Sequence, residues 1–100
     1  MIHYLDNAAT SRVLPEAAEA AVRVMCEDFG NPSSLHKMGI DAARILEDSR
    51  AAVAQALSVQ PAEVYFTSGG TESINTALFG AARKNRHAGR HIITTAIEHH

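Results

Sequence analysis

The sequence has a single cysteine, no long apolar run and no large excess of charge of either sign, and each absence excludes a class of protein. Cys26 has no second cysteine to pair with, so an intrachain disulfide framework is excluded and a reducing compartment is favoured. No apolar stretch approaches the roughly 20 residues that a membrane span requires. Because the net charge is −2 and the charges are scattered, neither nucleic-acid binding nor attachment to an anionic membrane is indicated.

The first residues and the composition indicate the cellular compartment and the size of the core that we expect. The N-terminal segment lacks the basic and apolar regions of a secretory signal peptide, so we expect a cytoplasmic protein. One hundred residues make at most one domain, or a piece of a larger one. The apolar fraction of 46% overstates the core, because 18 of these residues are alanine, which suits helices but buries little area. We therefore expect a thin core unless something larger covers it.

Two helices are predicted in the first half of the chain. Pro15 suits the first position of a helix that Gly30 ends. The Asn-Pro-Ser-Ser loop that follows supplies a serine N-cap for a second helix, which runs from about Leu35 to Leu57. Its apolar residues recur at helical spacing and predict this buried stripe: Leu35, Met38, Ala42, Ile45, Leu46, Val53 and Leu57.

The second half of the chain has the pattern of a strand, a helix and another strand. The run from Val64 to Thr67 and the run from His91 to Ala96 are rich in β-branched or aromatic residues and predict strands. A third helix is predicted to begin at Thr71. This order is that of a βαβ unit, which indicates the α/β class.

The turn between the first of these strands and the third helix is the most informative stretch. The first N–H groups of a helix have no internal partner and lie at the positive end of its dipole. Glycine lets a ligand approach the backbone, and a hydroxyl adds a donor, so we interpret Gly69, Gly70 and Thr71 as a phosphate cradle. Turn geometry alone is an equally good reason for two glycines, and neither a Walker loop nor Gly-x-Gly-x-x-Gly is present.

Glu98, His99 and His100 follow the last predicted strand, at the end of the strand where α/β sheets place their ligands. No metal site is predicted, because neighbouring residues of an extended backbone point to opposite faces and His-Glu-x-x-His is absent. An imidazole that stacks on a flat cofactor or acts as an acid–base suits a histidine here. A solvated histidine pair is the alternative.

The remaining reactive or charged residues are interpreted as parts of helices or of the solvated surface. Cys26 is interpreted as a helix residue without a catalytic role, because no basic neighbour is visible to activate its thiol. The basic residues Arg83, Lys84, Arg86 and Arg90 are interpreted as a solvated helix end and loop.

Four motifs occur in order along nearly the whole chain. They are Tyr-Leu-Asp-Asn-Ala-Ala-Thr at 4–10, Phe-Gly-Asn-Pro-Ser-Ser at 29–34 followed by His36, Phe-Thr-Ser-Gly-Gly-Thr-Glu-Ser at 66–73 with Asn75, and His-Ile-Ile-Thr-Thr at 91–95 with Glu98-His99. Together they resemble the cysteine desulfurases of the NifS/IscS-like group, within the class V aminotransferases. These enzymes use pyridoxal phosphate (PLP).

The resemblance implies an α/β fold: the N-terminal part of the large domain of a PLP-dependent transferase of the aspartate-aminotransferase type. Its mostly parallel sheet is flanked by helices and is incomplete in this chain, because strands from elsewhere lie between the two predicted here. Residues 1–14 are then an N-terminal arm or loop. Residues 15–100 are the N-terminal part of the truncated PLP-binding domain.

The resemblance also implies site residues and a reaction. Gly70 and Thr71 would hold the PLP phosphate, and His99 would stack on the pyridine ring and assist proton transfer. The Glu-His pairing of the motif favours His99 over His100, and the Asp6–Thr10 loop would lie near the substrate pocket. The implied reaction takes sulfur from L-cysteine, giving L-alanine and an enzyme persulfide. A sulfur-acceptor or iron–sulfur scaffold protein would receive that sulfur for cluster or thio-cofactor assembly, and a homodimer is implied.

Several expected parts of such an enzyme are missing. A Schiff-base lysine, an acidic partner for the pyridine nitrogen and a nucleophilic cysteine are expected beyond residue 100, since Lys37, Lys84 and Cys26 lie in the wrong settings. We therefore expect the isolated chain to be inactive and to fold natively only within a longer chain or beside a complementing one. Two alternatives stay open: another class V enzyme such as selenocysteine lyase, and a truncated, non-catalytic binding module.

Overall fold

The computed structural model describes residues 3–98, and over that range it contains three α-helices and one 3₁₀ helix. Helix α1 spans Pro15–Cys26, α2 spans Lys37–Leu57 and α3 spans Gly70–Lys84. The 3₁₀ helix spans Pro61–Glu63. The chain divides into two compact units between Val64 and Tyr65, so that α1 and α2 belong to the first unit and α3 to the second.

Helix α1 begins where its proline predicts and ends earlier than its glycine predicts. Pro15 occupies the start of the helix, where its missing N–H costs nothing. The prediction that Gly30 ends the helix is wrong, because α1 closes at Cys26. The carbonyl oxygen of Arg23 accepts from the N–H groups of Glu27 and Asp28 at 2.8 and 3.2 Å. The Arg23 side chain also donates to the Asp28 carboxylate at 3.1 Å, which completes the helix end.

Gly30 instead permits close backbone contact between the loop after α1 and the start of α2. A Cβ added to Gly30 would lie 2.2 Å from the carbonyl oxygen of Met38. A Cβ added to Gly39 would lie 2.2 Å from the carbonyl oxygen of Ser34 and 2.8 Å from that of Asn31. All three distances are shorter than carbon–oxygen packing allows, so glycine is required at both positions for space.

The loop that packs on α2 is a turn organised by its asparagine. The Oδ1 atom of Asn31 accepts from the N–H of Ser33, and its carbonyl oxygen accepts from the N–H of Ser34, each at 2.9 Å. The predicted serine N-cap is wrong, because the N-cap of α2 is His36, whose side chain makes no capping hydrogen bond. The Ser34 amide belongs to the turn, and α2 begins only at Lys37.

Both ends of α2 are stabilised by local interactions. Near its start, Lys37 donates to Asp41 at 2.5 Å, and this hydrogen bond is the main cause that lowers the pKa of Asp41. At the other end Ser58 adopts a left-handed conformation, with φ 55° and ψ 41°. The N–H of Val59 then reaches the carbonyl oxygen of Ala54 at 3.0 Å, which is the hydrogen bond of a Schellman motif.

The core of the described residues is thin, as the alanine content predicts. Within residues 3–98 the buried positions are Gly39, Ala42 and Ala54, all on α2. Much of the predicted buried stripe is exposed: Leu35 is 95% and Leu57 65% accessible, while Ile45 and Leu46 are half-buried. Large apolar side chains therefore face outward on all three helices. No helix within this range is long and apolar enough to cross a bilayer.

Helix α2 also supports the segment that leads out of the first unit. It packs against the 3₁₀ helix, and the Arg50 guanidinium donates to the carbonyl oxygen of Val64. The Arg50 side chain lies 3.4 Å from the Glu47 carboxylate as well. At the 3₁₀ helix, the N–H of its N-cap residue Gln60 donates to the Glu63 carboxylate at 2.8 Å. These contacts hold Val64 against α2.

The predicted sheet is not confirmed. The segments 64–67 and 91–96 form no β-ladder within the described residues. A strand is defined by hydrogen bonds to a neighbouring strand. Pattern and propensity therefore identify residues suited to strands, but these residues become strands only where a neighbouring strand is present.

Candidate functional site

The predicted phosphate cradle lies at the start of α3. The helix begins at Gly70, after Gly69 as its N-cap and one residue before the predicted start. The first backbone hydrogen bond of the helix runs from the N–H of Ser73 to the carbonyl oxygen of Gly69, at 3.1 Å. The N–H groups of Gly70, Thr71 and Glu72 precede it and have no acceptor within residues 3–98. Three backbone donors are thus available at the positive end of the helix.

The two glycines of the cradle leave open space in front of these donors. A Cβ added to Gly69 or to Gly70 would meet no atom of residues 3–98 within 4 Å. Gly69 has φ 163°, an extended conformation that any residue adopts. Neither backbone strain nor local packing therefore explains the glycines, in contrast to Gly30 and Gly39. The absence of side chains here allows an anion to approach the N–H groups to about 3 Å, as a hydrogen bond requires.

Glu72 is turned back onto Ser68 and closes the other side of the turn. Its Oε2 atom accepts from the backbone N–H of Ser68 at 2.7 Å and from the Ser68 hydroxyl at 2.6 Å. These hydrogen bonds, from the hydroxyl first and the backbone second, lower the pKa of Glu72. The arrangement resembles a capping box, in which an acidic residue of the first turn satisfies a backbone donor just outside the helix.

Two further side-chain contacts tie the incoming segment to the helix. The hydroxyl oxygens of Thr67 and Ser73 lie 2.6 Å apart, and the Thr67 hydroxyl also donates to the carbonyl oxygen of Gly69 at 3.1 Å. Farther along, Asn75 donates to the carbonyl oxygen of Thr71 at 2.8 Å. Sequence reasoning singled out the glycines and Thr71 but not these supporting residues. The only signal for them was the run of hydroxyl and acidic residues within the same motif.

The Asp6–Thr10 loop, in the other unit, forms a hydrogen-bonded turn. The carbonyl oxygen of Asp6 accepts from the N–H groups of Ala9 and Thr10 at 3.1 and 3.4 Å. The Tyr4 hydroxyl lies 2.8 Å from this oxygen and 3.0 Å from the carbonyl oxygen of Thr10. Tyr4 therefore braces a loop of small residues.

The predicted histidine site lies outside the described residues, since the description ends at residue 98 and His99 and His100 follow it. The preceding residue, Glu98, accepts a hydrogen bond from the Thr95 hydroxyl at 2.7 Å. Between residues 3 and 98 no three side chains of histidine, cysteine, aspartate or glutamate are grouped closely enough to hold a metal ion. Cys26 is exposed at the end of α1.

These features define a protein with an open, donor-rich helix terminus of the kind that binds phosphate groups. The family model described as Aminotransferase class-V matches residues 3–100. The chain belongs to the class V aminotransferase family, which confirms the resemblance inferred from the four motifs.

Curated relatives and a solved structure agree with this assignment. The chain is 52% identical over 96 residues to a NifS/IcsS protein homolog of Lactobacillus delbrueckii subsp. bulgaricus, covering 96% of the chain and 25% of the relative. It is 48% identical to the cysteine desulfurase IscS of Methanosarcina thermophila, covering 97% of the chain and 24% of the relative. A solved NifS-like protein superposes with a TM-score of 0.83 at 45% identity, covering 93% of the chain and 26% of that structure. The chain thus spans about a quarter of the length of these relatives.

Proposed function

We propose that this chain supplies part of the cofactor pocket of a PLP-dependent cysteine desulfurase. The observation that carries the proposal is the open start of α3, where glycines leave three N–H groups accessible, in a chain of the class V family. The likeness to a cysteine desulfurase at 48% identity supports the substrate class. Since the chain spans a quarter of its relatives, the activity belongs to a complete polypeptide that contains these residues.

In this proposal Gly70 and Thr71 hold the PLP phosphate through their N–H groups and the Thr71 hydroxyl. The helix dipole adds a favourable interaction with the phosphate charge. Glu72 does not occupy the cradle, because Ser68 holds its carboxylate through two hydrogen bonds. When bound, PLP supplies electron withdrawal from the substrate. The residues at the start of α3 bind and orient the phosphate end of that group.

His99 has the complementary role in the proposal. Its imidazole stacks on the pyridine ring and moves a proton to or from the substrate amine. The remaining chemistry, including the Schiff-base lysine and the cysteine that accepts the sulfur, is assigned to parts of the complete polypeptide beyond residue 100.

The proposal extends to architecture, reaction and partners. Residues 1–14 form an N-terminal arm, and residues 15–100 begin a large domain whose mostly parallel sheet is completed by the remainder of the polypeptide. The complete enzyme removes sulfur from L-cysteine, giving L-alanine and an enzyme persulfide. A sulfur-acceptor or iron–sulfur scaffold protein then takes up the sulfur. The enzyme is a cytoplasmic homodimer that binds neither nucleic acid nor membrane.

The phosphate assignment is tested by replacing Thr71 with valine in the complete polypeptide. Valine keeps the shape of the side chain and removes its hydroxyl donor. A hydrogen bond to a charged group contributes about 1.5–3 kcal/mol, so we expect the Kd for PLP to rise about tenfold or more. Equilibrium dialysis, followed by PLP absorbance, measures this constant without reference to turnover.

The matched control is Thr76→Val, which makes the same change at an exposed position farther along α3. It should leave PLP affinity unchanged. Pyridoxal, which lacks the phosphate, should bind the Thr71→Val variant as well as it binds the unsubstituted protein. Equal PLP affinity of the Thr71→Val variant and the unsubstituted protein would contradict the cradle assignment.

A further inference from the structure

The hydroxyl groups of Thr67 and Ser73 form a connected pair beside the phosphate cradle. The Thr67 hydroxyl donates to the carbonyl oxygen of Gly69 at 3.1 Å, and its oxygen lies 2.6 Å from that of Ser73. A hydroxyl has one proton to donate and two lone pairs that accept. Because the Thr67 proton is directed to Gly69, Ser73 is the donor in the contact between the two hydroxyls. The pair therefore acts in series on one backbone carbonyl.

The carbonyl of Gly69 accepts one hydrogen bond more than the helix requires. The N–H of Ser73 donates to it at 3.1 Å, which is the first backbone hydrogen bond of α3. Any helix makes this bond, whatever side chains it carries. The bond from the Thr67 hydroxyl is additional, so closing the first turn of α3 does not explain it.

The peptide group between Gly69 and Gly70 connects this carbonyl to the cradle. The group is planar and trans, so its C=O and N–H bonds point in opposite directions. The Gly69 oxygen is held by Thr67 and by the N–H of Ser73. The N–H of Gly70 therefore points to the opposite side, where it has no acceptor within residues 3–98.

This peptide group needs an orienting contact because glycine lies on both sides of it. Glycine has no Cβ to limit its φ and ψ angles, so a peptide between two glycines rotates more freely than any other. The glycines that let a ligand approach the cradle thus also loosen the direction of a donor that would bind it. The hydrogen bond from Thr67 to Gly69 opposes this rotation.

The other polar side chains around the turn are also bonded within it. Glu72 accepts from the N–H and the hydroxyl of Ser68 at 2.7 and 2.6 Å. The donors left without an acceptor among residues 3–98 include the N–H groups of Gly70, Thr71 and Glu72. Donors that are already oriented bind a ligand more tightly, because the entropy of ordering them is lost before the ligand arrives.

We infer that Thr67 and Ser73 are positioning residues for the phosphate of the proposed PLP site. Through the carbonyl of Gly69, they fix the N–H of Gly70 in the direction from which the phosphate binds. Neither of the two hydroxyls contacts the phosphate, whereas the Thr71 hydroxyl does. This role rests on the proposed function, since it requires that the cradle holds the phosphate of PLP.

The experiment compares the Kd for PLP with the Kd for pyridoxal, which lacks the phosphate, by equilibrium dialysis of the complete polypeptide. Thr67→Val removes the hydroxyl and should raise the Kd for PLP about threefold to tenfold, the effect of one neutral hydrogen bond. The Kd for pyridoxal should stay unchanged, whereas a general loss of structure would weaken the binding of both ligands. Thr67→Ser keeps the hydroxyl and should bind PLP as the unsubstituted protein does.

Two double variants test the serial arrangement of the hydroxyls. Ser73→Ala alone should raise the Kd for PLP, but adding it to Thr67→Val should raise the Kd no further, because Ser73 acts through Thr67. Thr67→Val and Thr71→Val should have additive effects on the free energy of binding, since the Thr71 hydroxyl binds the phosphate directly. Additive effects of Thr67→Val and Ser73→Ala would contradict the serial arrangement.

The matched control is Thr76→Val, the same change at an exposed position of α3, which should leave both Kd values unchanged. Equal PLP affinity of Thr67→Val and the unsubstituted protein would overturn the inference, as would a parallel loss of pyridoxal affinity. If Thr71→Val still weakened PLP binding, the cradle would stand and only the role of Thr67 would fail. If neither variant weakened it, the cradle assignment would fail as well.

Discussion

Replacing Gly39 with alanine tests whether the loop after α1 packs its backbone directly on α2. Gly39 is buried, and the added Cβ would lie 2.2 Å from the carbonyl oxygen of Ser34 and 2.8 Å from that of Asn31. Both neighbours are backbone atoms of a hydrogen-bonded turn, so they cannot move aside as the end of a flexible side chain would. The loop must therefore separate from the helix or the helix must bend.

The expected magnitude follows from two opposing effects. Alanine in a helix interior is more favourable than glycine by about 1 kcal/mol. Forcing additional volume into a packed site typically costs about 1–3 kcal/mol and occasionally more. A contact of 2.2 Å with backbone oxygen belongs at the upper end of that range or above it. We therefore expect Gly39→Ala to lower the free energy of unfolding by about 2 kcal/mol or more after the helix preference is subtracted.

The assay is denaturant unfolding of the complete polypeptide, with hydrogen exchange of residues 30–40 as a local readout. The matched control is Gly80→Ala, which makes the same change inside α3, where an added Cβ meets no described atom within 4 Å. The control should raise the helix stability by up to about 1 kcal/mol. The exchange of amides in residues 30–40 should accelerate only in the Gly39→Ala variant.

Two results would refute this reasoning. If Gly39→Ala were as stable as the unsubstituted protein, the close contact with Ser34 would be wrong. If Gly39→Ala and Gly80→Ala changed stability equally, the effect would come from helix propensity and not from packing.

Two further predictions concern the turn and the isolated chain. Because Ser68 lowers the pKa of Glu72, the stability that Glu72 contributes should be fully present above the ordinary glutamate pKa and should be lost as the pH falls through the lowered value. The Ser68→Ala variant should raise the pKa of Glu72 toward its ordinary value, as measured by NMR titration of the carboxyl group. An unchanged titration would contradict the contact. The isolated 100 residues should melt without a cooperative transition in calorimetry, because the buried positions among residues 3–98 are only Gly39, Ala42 and Ala54. A sharp heat-absorption peak with no partner present would contradict this prediction.

The supporting contacts of the cradle show where sequence reasoning ends. Gly70 and Thr71 stand out in the sequence because glycines before a helix suggest an anion site. The attachment of Glu72 to Ser68, and of Thr67 to Ser73, depends on how the incoming segment meets the helix. Side-chain direction across a turn is not encoded in any periodic pattern, so these contacts are evident only in the tertiary structure.

The sequence by itself determined that the chain has three helices, a thin core and its family, because apolar spacing and local motifs act over a few residues. It did not determine the end of α1 or the start of α2. It did not determine the purpose of Gly30 and Gly39, since the carbonyl oxygens that forbid a side chain there come from other segments of the chain. It also did not determine a sheet, because β-branched residues become a strand only beside a neighbouring strand. Only the tertiary structure decided these features, since each depends on which backbone atoms lie beside a residue and not on its neighbours in sequence.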